Sequence, residues 1–308
     1  MSLVEKALQK LQSSRQAVPP GIHEVPFVVG TVERRDKSAG AGAPHVPVEL
    51  PRPSKIVRVN RDALRAAKLI APDRESPEIA DQFRAIKRPL IRRMNEGAGV
   101  QPPPQLLMLS SALPGDGKTF TSINMALSMA MERNFPVLLV DADVAKPHVT
   151  RMFGAEQEPG LLDVLADASR PIESVILGTD IPSLSLLPAG KQVATATELL
   201  ASERMREVAM RLAELYQRGV VLLDTSPVLL TNEPRVLAPL MGQIVVVVKA
   251  GVTPQQALRD AVGLLGAEGR VSLILNEAPL SGPMGYYYGH RYGYGSSPSP
   301  TVPPPPDR

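Results

Sequence analysis

Gly117-Lys118-Thr119 follows a short apolar run and a glycine-bearing loop in the stretch LLMLSSALPGDGKTF, residues 106–120. Such a loop lets consecutive backbone N–H groups face phosphate oxygens, and the helix after it adds its positive N-terminal end. The frame, with Ala112 where the first glycine often stands, predicts a phosphate-binding loop rather than a glycine-rich turn with a surface lysine. The residues predicted to contact a nucleotide are Gly115, Asp116, Gly117, Lys118, Thr119 and Phe120.

Three aspartates follow apolar runs that we predict to be strands. Asp141 and Asp143 come after residues 137–140, and Asp224 ends the run 219–224. Mg²⁺ is held in proteins by a few carboxylates together with phosphate oxygens, and Asp224 stands where a Walker B carboxylate is expected. Asp141 or Asp143 could orient and deprotonate an acceptor hydroxyl. The alternative for these two residues is a pair of turn or N-cap aspartates.

Tyrosines are concentrated near the C-terminal end of the chain. Five of the six stand within nine residues: Tyr286, Tyr287, Tyr288, Tyr292 and Tyr294. One interpretation is a low-complexity aromatic tail that binds a partner. The other is a cluster of phosphate acceptors, in which each tyrosine, with an ordinary pKa of about 10, needs a base that the strand-end carboxylates could supply. Each phosphate would add about −1.5 to −2 charges to the tail.

Runs rich in Val, Ile and Leu alternate with helical segments, which predicts an α/β fold with a parallel, doubly wound sheet. The predicted strands are 106–111, 136–141, 184–188, 219–224, 243–249 and 271–275. The predicted helices are 118–133, a short one near 147–153, 198–217 and 254–267. Ligands of such sheets bind at the carboxyl ends of the strands, where the loop and the three aspartates fall.

Composition excludes several other classes of protein. The chain has 308 residues and no cysteine, so disulfides, thiolate metal sites and iron–sulfur clusters are excluded. Its net charge of +3 is too small to imply nucleic acid. We find no apolar run of about twenty residues and no signal-peptide layout, and so expect no membrane span.

The two ends differ in composition from this middle. Residues 2–12 predict a short amphipathic helix that either docks on a partner or packs on its own domain. We divide the chain into four parts. They are this helix (1–14), a Pro-rich linker with one short helix near 61–68 (15–76), a phosphate-loop domain (77–280) and a tail predicted to be disordered (281–308).

Helical spacing resumes over residues 78–94, where Pro89 is expected to kink or split the helix. Asp81, Arg84 and Lys87 stand three apart along it. Taken alone, these charges indicate a solvated helix face.

The phosphate loop, the acidic motif VLLVDADVAKP, the motif LLDTSP and the tyrosine cluster occur in that order. Together they resemble the bacterial tyrosine kinases of exopolysaccharide and capsule assembly. The segments SLVEKALQKLQ and DQFRAIKRPL resemble, more narrowly, the autokinases encoded with exosortase-type polysaccharide systems. The resemblance covers roughly residues 78–294 and the first dozen.

The resemblance implies an autokinase that uses ATP and Mg²⁺ to phosphorylate the tyrosine tail of a neighbouring subunit. It implies that Lys118 acts in catalysis and that Asp141 and Asp143 act on the metal and the acceptor hydroxyl. Thr119, Asp141 and Asp224 are the implied metal ligands.

Family members assemble into rings through a Glu-x-x-Arg-x-x-Arg helix, which Asp81, Arg84 and Lys87 match here with conserved charge but different geometry. Lys146 stands where the second motif usually has Arg. A homo-oligomer is therefore expected, with a separate transmembrane polysaccharide co-polymerase as activator, a phosphotyrosine phosphatase as a further partner and no nucleic acid. The expected location is cytoplasmic, at the inner face of the membrane.

Two other functions remain open at this point. ATPases that partition DNA or position division sites share the fold, but they carry a second lysine where Leu113 stands here and lack a tyrosine tail. A nucleotide-dependent scaffold without catalysis, regulating polysaccharide assembly, is the third hypothesis.

Overall fold

The computed structural model describes residues 25–29, 53, 55–70, 77–97 and 99–278. They form one nine-stranded sheet in the order β1-β9-β8-β3-β7-β4-β6-β5-β2. The strands are β1 Val25–Val29, β2 Ile56–Val57, β3 Leu106–Ser111, β4 Val137–Asp141, β5 Leu177–Thr179, β6 Leu184–Leu187, β7 Val220–Asp224, β8 Gln243–Lys249 and β9 Val271–Ala278. Only the β1–β9 and β5–β6 pairs are antiparallel, so the predicted mainly parallel sheet is confirmed.

Helices cover both faces of this sheet. They are α1 Arg61–Ala66, α2 Pro77–Glu96, α3 Lys118–Ala130, α4 His148–Met152, α5 Leu161–Ala166, α6 Ala196–Leu200, α7 Glu203–Leu215, α8 Glu233–Leu237 and α9 Gln255–Leu265. Alternate residues of each central strand enter opposite cores: Leu138 and Val140 of β4 pack with α5, α7 and α9, whereas Leu139 packs with α2 and α3. The sheet is therefore doubly wound, with its strands buried on both sides.

Two predicted helices differ from the structure. The segment 198–217 is two helices, because Ser202 accepts a hydrogen bond from the Met205 N–H and caps a new start at α7. Helix α2 runs through Pro89 without splitting. Its apolar residues Phe83 and Leu90 are buried in the core, and this packing maintains the helix across the missing N–H.

The described residues of the segment 15–76 contain a helix and two strands. Its expected helix is present as α1, which Asn60 caps by accepting hydrogen bonds from two backbone N–H groups. The segment also contributes β1 and β2 at the two edges of the sheet, which the prediction missed. β1 pairs with β9 and β2 pairs with β5, and the helix that follows β2 is anchored by the ion pair of Arg61 with Asp180, 2.7 Å apart.

The predicted helix at 1–14 and the tail at 281–308 lie outside the described residues. Within the described part of the chain, no helix combines the length and apolar character that a membrane crossing needs.

Candidate active site

The phosphate loop joins β3 to α3, as the sequence predicted. Gly115 and Gly117 have φ angles of 85° and 92°, in the left-handed region that favours glycine. Gly117 forms the N-cap of α3, and a Cβ atom there would lie 2.0 Å from the Asn276 side-chain nitrogen. Glycine is therefore required at 117 both for its backbone angle and for space.

Asp116, a residue of this loop, stabilises the loop through hydrogen bonds. Its two carboxylate oxygens accept hydrogen bonds from the Leu113 N–H, at 3.0 Å, and from the Thr253 hydroxyl, at 2.7 Å. The Asn276 side-chain amide donates to the Asp116 backbone carbonyl, at 3.0 Å. Burial raises the pKa of Asp116, and the hydrogen bonds from Thr253 and Leu113 oppose the rise. The loop that follows β8 and the strand β9 therefore fix the shape of the phosphate loop.

The three predicted aspartates do converge beside this loop. Asp141 and Asp224 are paired residues at the ends of the adjacent strands β4 and β7, and both are fully buried. Asp143, two residues on, is 5% exposed. Carboxyl ends of parallel strands meet at one edge of a sheet, so this convergence follows from the fold.

Lys118 lies among these carboxylates. Its Nζ is 2.7 Å from Asp143 Oδ2 and 3.8 Å from Asp224 Oδ2. Burial alone would lower the pKa of Lys118, but the charges of Asp224 and Asp143 outweigh it and raise the pKa. The lysine is therefore charged at neutral pH and can exchange a carboxylate for a phosphate oxygen.

Asp224 is held by hydroxyl groups of α3. Thr119 Oγ1 donates to Asp224 Oδ2 and Ser122 Oγ donates to Asp224 Oδ1, each at 2.8 Å. Burial is the largest cause that raises the pKa of Asp224, and Lys118 opposes it. Sequence reasoning missed Ser122, although its position one helical turn after Lys118 places it on the same face of α3.

Asp141 has one oxygen without a partner. Its Oδ2 accepts from the Thr150 N–H at 2.7 Å and from the Thr150 hydroxyl at 2.8 Å, whereas its buried Oδ1 has no hydrogen-bond partner. Burial, and then the charge of Asp224, raises the pKa of Asp141 to about 7. A buried unpaired carboxylate oxygen is costly and indicates a missing proton, cation or ligand.

This set of groups fits a divalent cation that shares its ligands with phosphate. Asp224 and Thr119 offer hard oxygen donors of the kind Mg²⁺ takes. The free Asp141 oxygen nearby can serve either as a further donor to the cation or as a proton acceptor, but not as both at once. Among the described residues, no group of three His, Cys, Asp or Glu side chains is placed to hold a metal. Phosphate oxygens and water would therefore have to complete the shell.

Two further predicted residues lie at the margins of the site. Phe120 is partly buried, and its ring packs against Phe83 of α2 with centroids 6.5 Å apart, so only its backbone belongs to the loop. Lys146 is exposed, and its N–H donates to Asp143 Oδ1 at 3.2 Å.

The α2 stripe, Asp81, Arg84 and Lys87, does not form one surface. Asp81 and Arg84 form an exposed ion pair with each other. Lys87 is only 4% exposed; it donates to the Ser128 carbonyl in the last turn of α3 and lies 2.8 Å from Glu132 Oε1. The interface role stays a prediction for Asp81 and Arg84, whereas Lys87 has partners within its own subunit.

The five tail tyrosines lie outside the described residues. The last described strand, β9, ends at Ala278, two residues after Asn276, which contacts the phosphate loop.

Fold and site together define a phosphate-loop nucleotide-binding protein with clustered strand-end carboxylates. A family model described as an AAA domain matches residues 107–250. The tyrosine-protein kinase YwqD of Bacillus subtilis is 30% identical over 236 residues, which cover 76% of this chain and 96% of YwqD. This chain belongs to the family of bacterial tyrosine-protein kinases.

Two other relatives agree with that placement. The putative tyrosine-protein kinase EpsB of Ralstonia nicotianae is 34% identical over 189 residues, covering 61% of this chain. The chain spans only a quarter, 25%, of the length of EpsB. The crystal structure of the VpsO kinase domain is 30% identical with a TM-score of 0.54, and the match covers 64% of this chain and 95% of that domain.

Proposed function

We propose that this protein is an ATP-dependent protein-tyrosine autokinase. It transfers the γ-phosphoryl group to the tyrosine cluster at residues 286–294 of a neighbouring copy. The observation that carries the proposal is the buried, unpaired oxygen of Asp141. It lies near Asp224 and near Lys118 of the phosphate loop. The family placement and the five tyrosines that follow β9 support it.

The phosphate loop binds the donor in this proposal. Its backbone N–H groups and the N-terminal end of α3 face the phosphates, and Lys118 leaves Asp143 to contact the terminal phosphate oxygens. Thr119 and Asp224, with phosphate oxygens, would hold Mg²⁺, which when bound neutralises charge on the transferring group. Ser122 keeps the second oxygen of Asp224 oriented toward α3.

Asp141 takes the acceptor's proton in this proposal. The phenolic oxygen forms a bond to the γ-phosphorus, the bond from that phosphorus to the bridging oxygen of ADP breaks, and the phenolic proton passes to Asp141 Oδ1. A carboxyl with a pKa of about 7 and a free oxygen suits a proton acceptor at neutral pH. The Thr150 hydrogen bonds to the other oxygen hold the carboxylate in place.

A phosphotyrosine blot of the purified chain with ATP and Mg²⁺ tests the activity. We expect signal from the unaltered chain and none from Lys118→Met or from a chain with Phe at the five tail positions. Mixing Lys118→Met with the five-Phe chain should restore signal on the former, because one supplies the tail and the other the site. An unaltered chain that hydrolyses ATP without phosphotyrosine would instead favour the scaffold hypothesis.

The wider role is inferred from the resemblance. The kinase would regulate the polymerisation or export of an exopolysaccharide, as a homo-oligomer at the inner face of the membrane. A separate transmembrane co-polymerase would recruit it and a phosphotyrosine phosphatase would reverse it. Co-purification of the chain with a membrane protein, lost when residues 2–12 are deleted, would support recruitment through the N-terminal helix.

A further inference from the structure

Two exposed apolar side chains flank the phosphate loop. The described residues include six large hydrophobic side chains that are well exposed: Ile56, Val100, Met131, Leu230, Val252 and Leu264. Leu230 is 59% exposed in the loop after β7, and Val252 is 63% exposed in the loop after β8. Since β3 lies between β7 and β8 in the sheet, the two loops stand on either side of the phosphate loop, with strand ends about 10 Å apart.

Both loops are fixed in place by hydrogen bonds. The Leu229 N–H donates to the Ala112 carbonyl at 3.3 Å, and the Leu230 N–H donates to the Pro227 carbonyl at 3.1 Å. On the other side, the Val252 N–H donates to the Lys249 carbonyl at 3.2 Å. Two apolar side chains are therefore presented to solvent by ordered turns that touch the phosphate loop, at the mouth of the site.

The last described strand, β9, lies next to this surface. The Ala250 N–H, in the loop that carries Val252, donates to the Asn276 carbonyl of β9 at 2.9 Å. Tyr286 stands eight positions after Ala278, the end of β9, and an extended chain over eight positions spans at most about 29 Å. The described part of the chain therefore ends two residues after Asn276, close to this surface, and the tyrosines follow within that contour length.

We infer that Leu230 and Val252 form a docking surface for the tyrosine-rich segment, residues 282–295, of a neighbouring copy. The inference rests on the phosphotransfer proposed above and names the surface that recognises its acceptor. Aromatic rings and glycines dominate that segment, which carries two basic side chains, His290 and Arg291, and no acidic one. Such a peptide gains most from apolar contact with the docking surface of Leu230 and Val252, called the rim below, and each ring that packs there holds its neighbours close to Asp141.

A two-chain kinetic assay tests this surface. The acceptor is the full chain with Lys118→Met, which keeps its tail and cannot act as donor. The enzyme is the full chain with Ser at the five tail tyrosines, which keeps its site and offers no aromatic tail. Phosphotyrosine on the acceptor is measured at increasing acceptor concentration, so that KM and kcat separate.

Leu230→Ser with Val252→Ser in the enzyme should raise KM for the acceptor about tenfold and leave kcat and ATP hydrolysis unchanged. The same pair in the acceptor should change nothing. Ile56→Ser with Val100→Ser in the enzyme is the matched control, since these side chains are similarly exposed, at 63% and 58%, outside the two rim loops. It too should leave KM unchanged.

An unchanged KM in the rim variant, or an equal rise in the matched control, would overturn the docking surface while leaving the kinase proposal intact. An equal rise when the changes sit in the acceptor would also overturn it, in favour of a general contact between copies. Absence of phosphotyrosine with the unaltered rim would overturn the proposed function itself, and the docking surface with it.

Discussion

Two groups of charged residues that the sequence pattern identifies are arranged differently in the fold: one group lies together and the other does not. Asp141, Asp143 and Asp224, far apart in sequence, lie together around Lys118. The stripe of Asp81, Arg84 and Lys87, in which each residue is three positions from the next, instead divides into an exposed ion pair and a buried lysine. Proximity in sequence was therefore the weaker guide to which side chains act together.

The geometry of the two elements explains the difference. Parallel strands all end at the same edge of the sheet, so a residue at the end of one strand has a neighbour at the end of the next. A helix advances about 100° per residue, so each step of three rotates the stripe by about 60° and carries Lys87 about 120° away from Asp81. Lys87 consequently faces α3 and the core.

The largest expected effect is that of Asp141→Asn. The amide keeps an oxygen that can contact a cation but cannot accept a proton, so phosphotransfer to the tail should fall by about 10²–10⁴-fold. Affinity for a fluorescent ADP analogue with Mg²⁺ should stay within a few-fold of the unaltered chain. A large loss of Mg²⁺-dependent nucleotide affinity instead would make Asp141 primarily a metal ligand, as the resemblance first implied.

The second prediction concerns space at the phosphate loop. Gly117→Ala should weaken nucleotide binding by roughly 10–100-fold, because its Cβ meets Asn276 at a positive φ of 92°. Gly154→Ala is the matched control, since Gly154 also has a positive φ, 67°, but open space around its Cβ position. Isothermal titration with ADP and Mg²⁺ measures both. Equal affinity in the Gly117 variant would show that the loop tolerates a side chain and adapts to it.

The third prediction is a pH dependence of stability in the absence of nucleotide. Because the pKa of Asp141 is raised from 3.8 to about 7, the folded protein binds the proton more tightly than the unfolded chain does. The stability that protonation of Asp141 contributes is complete below about pH 4 and is lost as the pH rises through about 7. This loss in the free energy of unfolding is on the order of 4 kcal/mol at most.

Urea unfolding between pH 5 and 8 measures this loss. Asp141→Asn should flatten the decline in the free energy of unfolding over that range, because the amide has no proton to lose. An identical pH profile in the two proteins would mean that Asp141 is ionised throughout.

The smallest expected effects distinguish Lys87 from Arg84 within the α2 stripe. Lys87→Met should lower the free energy of unfolding by about 1–3 kcal/mol, since it leaves the Ser128 carbonyl without its donor. Arg84→Met, the matched control, should cost less than about 0.5 kcal/mol, because the ion pair with Asp81 is exposed. Denaturant titration compares the two variants.

Light scattering adds a second readout to the same pair. If α2 forms an interface between copies, Arg84→Met should shift the oligomer toward monomer more than Lys87→Met does at matched stability. The reverse order would return Lys87 to the interface.

The sequence predicted the fold and the centre of the site because both depend on local patterns. Apolar runs ending in Asp141 and Asp224, and the loop before α3, fix which atoms meet once the sheet is parallel. The residues that the sequence patterns did not predict act through tertiary contacts. Thr253, in the loop after β8, and Asn276, in β9, form hydrogen bonds with Asp116 from more than 130 positions away, and Thr150 orients Asp141 from α4.

The edge strands were missed for a related reason. β1 and β2 gain their stability from pairing with β9 and β5. β2 has only two residues, and β1, although apolar as VPFVV, contains Pro26 and lies in a segment rich in Pro and Gly, a composition that favours a linker. Lys87 was assigned to a surface because a charged side chain is usually exposed, and only its contacts with Ser128 and Glu132 reveal the exception.

The transfer of γ-phosphate to the tail is the central claim, and isotope tracing measures it directly. The unaltered chain is incubated with Mg²⁺ and ATP labelled at the γ-phosphoryl oxygens, then digested and analysed by mass spectrometry. We predict labelled phosphate on tyrosines of the peptide that spans residues 282–295, and none when Lys118 is replaced by Met. Label found only in free phosphate, with the five tail tyrosines unmodified, would contradict the account.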